Sequence, residues 1–379
     1  MESRSNDEIY CKILVHRTRS EFLPSKMSTI SQQDIAEKLK LSRATVSRCF
    51  TNHPGINPET RARVFELASR LGYDHLTNRT RGLQRRKKTP AIGVLICVDK
   101  SDYDRGDYEN PARRLTKGVS EYCQLTGARI SLRFVEPSLL NSDPRAKDRL
   151  LREVSRDYDG LLLLYPFPAD LLRELTVKLP CVSLVEQPGD LRLDCVDVDH
   201  YQGVALLIDH LYQLGHRRIG FYTKSYPVQA SWSLRRMGAF YEKMTQIGLR
   251  IREKHMVNAL PHKQVDLERS YDLAAEAVAS GVTAFVCAAD HQAYDLQAGL
   301  RKRGIKVPAE VSITGFDGIR PPQRKAALTT VEIPYREIGY MAAKRLIDSM
   351  SKRFGPTQHI LLGCRLVEGK TSATVRVEV

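Results

Sequence analysis

The chain has 379 residues, 42% hydrophobic and 27% charged, with a formal net charge of +15. That length exceeds a single compact core, so two or three domains are expected, and the composition is that of a globular protein. No apolar run is long enough to span a bilayer, and residues 1–22 lack the apolar stretch of a secretory signal, so no membrane association and a cytoplasmic location are expected.

The positive charge is concentrated near the front. Between Ser28 and Lys88 there are 13 Lys/Arg against 5 Asp/Glu, a net +8, which is the electrostatic footprint of a module that meets a polyanion. The eight cysteines are scattered and form no CxxC. Cys97, Cys181 and Cys287 sit in apolar, strand-like runs and are expected to be reduced and buried. The histidines and cysteines supply no zinc-like spacing, so no metal and no cofactor are expected.

In chain order, Ser31 precedes QQDIAEKLK with Asp34 three residues on, a capping box with Asp in place of Glu. Ile35, Ala36 and Leu39 then share one helical face. A break at Lys40–Leu41 leads to Ser42, an N-cap for a second short helix ending at Phe50. Val46 and Phe50 face inward on it, which leaves Arg43, Ala44, Ser47 and Arg48 outside. Asn57 and Pro58 open a third helix that Gly72 closes, with Val64, Leu67, Ala68 and Leu71 as its inner face. Two short helices joined this tightly, the second carrying Ser, Thr and Arg, make a helix-turn-helix unit whose second helix enters the DNA major groove. Residues 79–88 follow with six Lys/Arg in ten, a basic linker.

From Pro90 onward short apolar strands alternate with helix-patterned segments: AIGVLICV, RISLRFV, GLLLLYP, CVSLVE, CVDVD, RRIGFYT, AFVCAAD and VSITGFD. The fold class is therefore α/β: a three-helix N-terminal domain and a body of two doubly wound parallel-sheet subdomains, with a ligand cleft beyond the C-terminal strand ends.

The pattern TIxxxDIAxxLxLSxATVSRxFxNxxxIxxxTRxRVxxxAxxLGY over Thr29–Tyr73 resembles the DNA-binding head of the lactose-repressor (LacI/GalR) family. The body stretches VDVDHYQGVALLIDHLYQLGHRRIGFYT, SLRRMGAFYEKMTQIGL, TAFVCAADHQAYDLQAGLRKRGIKVPAEVSITGFDGI and LTTVEIPYREIGYMAAKRL resemble the same family, whose body is similar to periplasmic sugar-binding proteins. The resemblance implies that Arg43 and Ala44 read base edges, that Arg48 contacts base or phosphate, and that Thr29, Ser42, Thr45 and Ser47 contact phosphate or cap helices. An Arg suits bidentate contact with guanine, and Ala44 a thymine methyl. Lys40 stands where the family has Gly, so a left-handed turn residue is expected there at a cost of about 1 kcal/mol. In the linker the resemblance implies a hinge helix that wedges Leu83 into the minor groove.

For the body, the resemblance places Arg235, Asp290 and Asp317 at the effector, with Trp232 and Tyr165–Phe167 as candidate stacking surfaces for a sugar face. The plainer readings are that Asp290 only caps a helix, Arg235 only forms a surface ion pair, and the aromatics belong to core or rim. The implied domains are an extension over 1–26, disordered or preceding a true start at Met27; the head over 27–73; a hinge over 74–89; and the body over 90–379. Within the body, the first subdomain takes 90–190 and 330–352, the second 191–329 and 353–379.

Other chemistries fit poorly. GCRLVEGKT (363–371) has five residues between its glycines where a phosphate-binding loop needs four. No GxSxG, HExxH or Cys-His constellation appears in a fitting context, so an enzyme is not expected. The expected function is a sequence-specific transcriptional regulator, a repressor, acting as a homodimer on double-stranded DNA with a near-palindromic operator under a carbohydrate effector, in the bacterial cytoplasm with the nucleoid. The alternative is a small-molecule (sugar or nucleobase) sensor that acts through a protein partner rather than DNA.

Overall fold

A computed structural model describes residues 30–51, 53, 55–73, 89–100, 103, 110–189, 192–224, 231–258, 264–319, 327–351 and 357–375. The N-terminal extension, Thr29, hinge residues 74–88 and Leu83 among them lie outside these.

The head consists of α1 (Gln32–Leu39), α2 (Arg43–Phe50) and α3 (Pro58–Arg70). Its ends are set locally. Ser31 Oγ accepts the Asp34 N–H while the Asp34 carboxylate accepts the Ser31 N–H at 2.7 Å, which closes the capping box. Lys40 ends α1 in the left-handed region at φ 54. Ser42 Oγ accepts the Thr45 N–H at 3.0 Å, and Asn57 Oδ1 accepts the Glu59 N–H at 2.8 Å. Each such cap satisfies a backbone donor that the first helical turn leaves free. Ile35, Val46, Cys49, Phe50, Val64, Phe65 and Ala68 form the core between the helices.

The body begins with β1 (Ala91–Cys97), α4 (Pro111–Thr126), β2 (Arg129–Val135), α5 (Pro137–Ser142), α6 (Ala146–Asp157), β3 (Gly160–Leu164), α7 (Ala169–Lys178), β4 (Cys181–Leu184) and β5 (Asp194–Val198). It continues with α8 (His200–Gln213), β6 (Ile219–Tyr222), α9 (Ser231–Gln246), β7 (Met256–Val257), α10 (Leu267–Ala279), β8 (Ala284–Cys287), α11 (Asp290–Lys302) and β9 (Ser312–Thr314). The last elements are β10 (Thr330–Glu332), α12 (Tyr335–Met350), β11 (His359–Leu362) and β12 (Arg365–Val367).

A six-stranded parallel sheet in the order β11-β5-β4-β3-β1-β2 forms lobe 1, and a four-stranded parallel sheet, β7-β6-β8-β9, forms lobe 2. Both faces of each sheet are covered, which is why the strands are apolar throughout rather than alternating. In lobe 1, Ile92, Val94, Ile96, Leu162 and Leu164 pack with Leu115, Val119, Ile338 and Leu346, while Leu95, Leu161 and Leu163 pack with Leu150, Val154, Leu172 and Leu175. Each such side chain, fully buried, contributes about 1.5–3 kcal/mol over its exposed state.

Sheet membership moves the lobe boundaries from their expected places. β5 pairs with β4, and β11 pairs with β5, so residues 194–198 and 359–362 belong to lobe 1. The chain therefore crosses between lobes after Val198, again through β10 into α12, and a third time through β12, which pairs antiparallel with β10. The reason is hydrogen bonding: the open edge of β5 takes β11 as its parallel neighbour. After β12 the tail returns to lobe 2, where Ile313 N–H donates to Thr371 O at 2.7 Å. The stretch GCRLVEGKT is thus a crossover strand followed by this return.

Candidate nucleic-acid interface and effector cleft

On α2 the inward side is fixed by Val46, Cys49 and Phe50, all buried. Arg43, Ala44 and Arg48 are exposed, and Thr45 and Ser47 half-buried. Ser42 and Thr45 are tied by a 2.9 Å hydroxyl contact as well as by the cap, so their hydroxyls order the start of the helix. The first turn of α2 thus presents a guanidinium and a methyl group side by side on a helix narrow enough for a major groove.

The second cluster lies where the lobes and their crossovers meet. Arg236, on α9, is only 4% exposed. Its guanidinium donates to Ala288 O, to Asp317 Oδ1 at 3.2 Å and, through Nε, to His200 Nδ1 at 3.3 Å. The same group lies over the Phe316 ring at 3.8 Å and over the Trp232 ring at 4.8 Å. His200 Nε2 is 3.1 Å from Asp197 Oδ2 at the end of β5. Burial holds the His200 pKa below its usual value, so the ring is neutral, accepting at Nδ1 and donating from Nε2.

Asp317 also accepts the Tyr335 hydroxyl at 3.2 Å, which brings in the first residue of α12. Asp290 is fully buried; its carboxylate accepts the Thr330 hydroxyl at 2.6 Å and the Ile319 N–H at 2.7 Å. Burial, with Asp317 beside it, pushes the Asp290 pKa up to about 7. Burial also raises that of Asp317, against the pull of Arg236. Two carboxyls and one guanidinium thus share a buried site, which carries one net negative charge with both carboxyls ionised and none once one of them holds a proton. Asp317 at φ 138 and Tyr165 at φ 70 are non-glycine residues in strained backbone at strand ends facing this junction, the kind of strain that collects at ligand sites.

Arg235 lies elsewhere. Its Nη2 donates across to Gln187 O of lobe 1 at 3.2 Å, and its buried Nε has no hydrogen-bond partner among the described residues. Beside it Glu186, buried, accepts the Ser231 N–H at the start of α9 at 3.0 Å, and Gln187 N–H donates to Ser231 Oγ at 3.1 Å. Burial raises the Glu186 pKa.

The structure therefore brings Asp290, Asp317 and Trp232 together around Arg236, and sends Arg235 to a lobe–lobe contact at the same junction. Asp290 is not an N-cap: Ala289 holds that position without a side-chain bond. Tyr165 reaches Asn110 at 2.8 Å, whereas Phe167 packs into the lobe 1 core. Sequence reasoning missed Arg236, His200, Asp197, Tyr335 and Glu186. The i, i+3 spacing in DVDH and the doubled arginine were the available signals.

Comparison with known proteins accords with this architecture. Residues 31–75 match the model of bacterial regulatory proteins of the lacI family, and residues 208–372 match a periplasmic binding protein-like domain. The HTH-type transcriptional repressor MelR of Bacillus subtilis is 26% identical over 364 residues, covering 92% of this chain and 98% of that protein. The structure of the lac repressor dimer bound to operator and the anti-inducer ONPF superposes with a TM-score of 0.59 at 19% identity, over 91% of this chain and all of that one. A transcriptional regulator CelR–cellobiose complex gives 0.61 at 20% identity over 90% of this chain and all of that one. The chain thus carries a head of the lacI family of bacterial regulatory proteins followed by a periplasmic-binding-protein-like body.

Proposed function

We propose that this protein is a DNA-binding transcriptional repressor that acts as a homodimer in the bacterial cytoplasm, on a near-palindromic operator, under the control of a carbohydrate bound between its lobes. The observation that carries this reading is the capped helix pair α1–α2, which leaves Arg43, Ala44 and Arg48 exposed on the leading helix. Arg43 pairs with a guanine, Ala44 meets a thymine methyl, and Arg48 adds a base or phosphate contact. Two-fold symmetry sets two such helices one turn of DNA apart. Leu83, outside the described residues, is the proposed wedge in the minor groove.

Asp317, Asp290 and Trp232, gathered around Arg236, form the effector side of lobe 2, Arg235 lies beside them at the lobe–lobe contact with Gln187, and Tyr165 and Asn110 are the lobe 1 side. Buried carboxylates and guanidinium groups suit paired contacts with sugar hydroxyls, and the structurally similar CelR holds cellobiose. An effector that binds one lobe arrangement more tightly shifts the equilibrium toward it, and the operator changes effector affinity by the same factor. Among the described residues no helix is long and apolar enough to cross a membrane.

Two measurements test this reading. Enrichment of a duplex from a random pool, followed by binding with Arg43→Ala, should show a loss of about 1–3 kcal/mol and relaxed preference at one base pair; an unchanged preference removes Arg43 from the interface. Thermal stability against sugars, sugar acids and glycosides should rise with one compound, and that rise should be lost in Asp317→Ala.

A further inference from the structure

We propose that the head is seated on its own body through α3 and α4, and that this seat positions the recognition helix and carries the state of the cleft to it. The seat itself is independent of any ligand; its effect on DNA rests on the function proposed above.

A head that acted as a free module would leave one side of α3 to water. Instead Arg61, Ala62, Glu66 and Ser69 are buried along with the inward residues. Arg61 is 0% exposed. Its Nη2 donates to His53 O inside the head at 2.7 Å, and its Nη1 to Gln124 Oε1 on α4 at 3.0 Å. Glu66, 7% exposed, receives a bidentate pair from Arg113 of α4, Nε to Oε2 at 2.9 Å and Nη2 to Oε1 at 3.0 Å. Lys117 and Glu59 approach to 3.6 Å. Burying an arginine and a glutamate in one contact is tolerated only when both are bonded; α4 supplies both bonds to Glu66 and one of the two named for Arg61, the other coming from His53.

The other side of α4 reaches the cleft. Asn110, which caps it, accepts the Tyr165 hydroxyl, and Arg114 donates to Gly318 O, next to Asp317, at 3.4 Å. α4 is also locked to α12. A Cβ on Gly118 would stand 1.7 Å from Arg336 O, and one on Gly339 2.0 Å from Leu115 O, so the two backbones touch. α12 begins at Tyr335, which holds Asp317. One tightly packed helix pair thus touches the cleft at one end and the head along its flank. A shift at Asp317 or Tyr165 that moves the pair also tilts α3.

The seat uses α3, while Arg43, Ala44 and Arg48 on α2 stay exposed. Docking therefore orients the head without covering it. A head held in one orientation loses less freedom when it meets the operator. Arg61, Glu66, Arg113 and Gln124 are then positioning residues with no base contact of their own.

Arg113→Glu on the full chain is the test. The Arg113 side chain is 50% exposed, beside a cavity of about 640 Å3, so the change places like charge against Glu66 without disturbing a core. Hydrogen exchange of the α3 amides, measured without DNA, should quicken at least tenfold in Arg113→Glu and return toward wild type in the swap Glu66→Arg/Arg113→Glu. Binding to a duplex enriched by the wild type should weaken at least tenfold and recover in the swap. The slope of affinity with salt should stay unchanged, because no phosphate contact is lost. Unaltered exchange of α3 overturns the seat. Quickened exchange with unchanged operator affinity overturns its positioning role. If exchange responds but the wild type enriches no duplex, the DNA-binding reading fails and takes the positioning role with it, while the seat stands.

Discussion

Replacing Arg236 with Met removes the guanidinium that is bonded to Asp317 and that lowers the pKa of Asp290, while keeping most of its volume. The guanidinium is 4% exposed, Asp317 7% and Asp290 0%, so water cannot take over its role. Breaking a buried pair and leaving the carboxylate uncompensated costs roughly 3–5 kcal/mol. Loss of the guanidinium from the Phe316 face adds about 1 kcal/mol, and Met recovers part of this by apolar contact, which leaves about 4 kcal/mol at pH 8. Acid should relieve the loss. Arg236 lowers the pKa of both carboxyls, so without it each holds its proton to higher pH, and below that range no charge is stranded. Urea unfolding followed by Trp232, the only tryptophan and 4.8 Å from this guanidinium, should therefore show the deficit shrinking to about half by pH 5. A deficit under about 1 kcal/mol, or one that does not vary between pH 8 and pH 5, would falsify the charge argument and reduce Arg236 to a packing element.

Asp290→Asn probes the same site from the acid side. The folded-state pKa of about 7 lies above the ordinary 3.8, so between these values the folded chain keeps a proton that the unfolded chain has released, and stability falls as pH rises from about 4 to 7. Measured as wild type minus variant, which cancels the histidines, the stability difference should decline across that window; a flat difference refutes the raised carboxyl. Lys40→Gly relieves the left-handed turn residue at φ 54 and should stabilise the head by about 1 kcal/mol in chemical denaturation; no gain means that Lys40 is held there without strain. Gly339→Ala drives a methyl into the Leu115 carbonyl and should cost about 1–3 kcal/mol by overpacking, with the melting temperature as readout; an unchanged melting temperature would show that α4 and α12 can part at no cost.

The head was legible from its residues alone because its helices are set by neighbours in the chain. Ser31 with Asp34, Ser42 with Thr45, and Asn57 with Glu59 are all contacts within three residues, and the apolar period of each helix names its inward face. The strands of the body were legible for a related reason: a strand covered on both faces reads as a short apolar run wherever it lies. What pairs with what was decided only in three dimensions. β11, HILL, is a four-residue strand with alternate exposure, and nothing local in it says that β5 is its neighbour or that residues 194–198 stay with lobe 1.

The same limit applies to the charge cluster at the lobe junction. Arg235 and Arg236 are adjacent in sequence but about 100° apart around α9. Which of them meets Asp317 depends on how that helix is rotated by its packing on lobe 2, where Ala239, Phe240 and Met244 are buried. The second buried side of α3 is likewise invisible to a pattern that seeks a single inward face, since Arg61 and Glu66 look like solvent-facing charges until Gln124 and Arg113 of a distant helix arrive to bond them. Sequence determined the elements, their caps and the exposed edge of α2, because those depend on bonds between near neighbours. Tertiary structure decided the lobes, the charge cluster at their junction and the seat of the head, because each joins residues that only packing brings within reach.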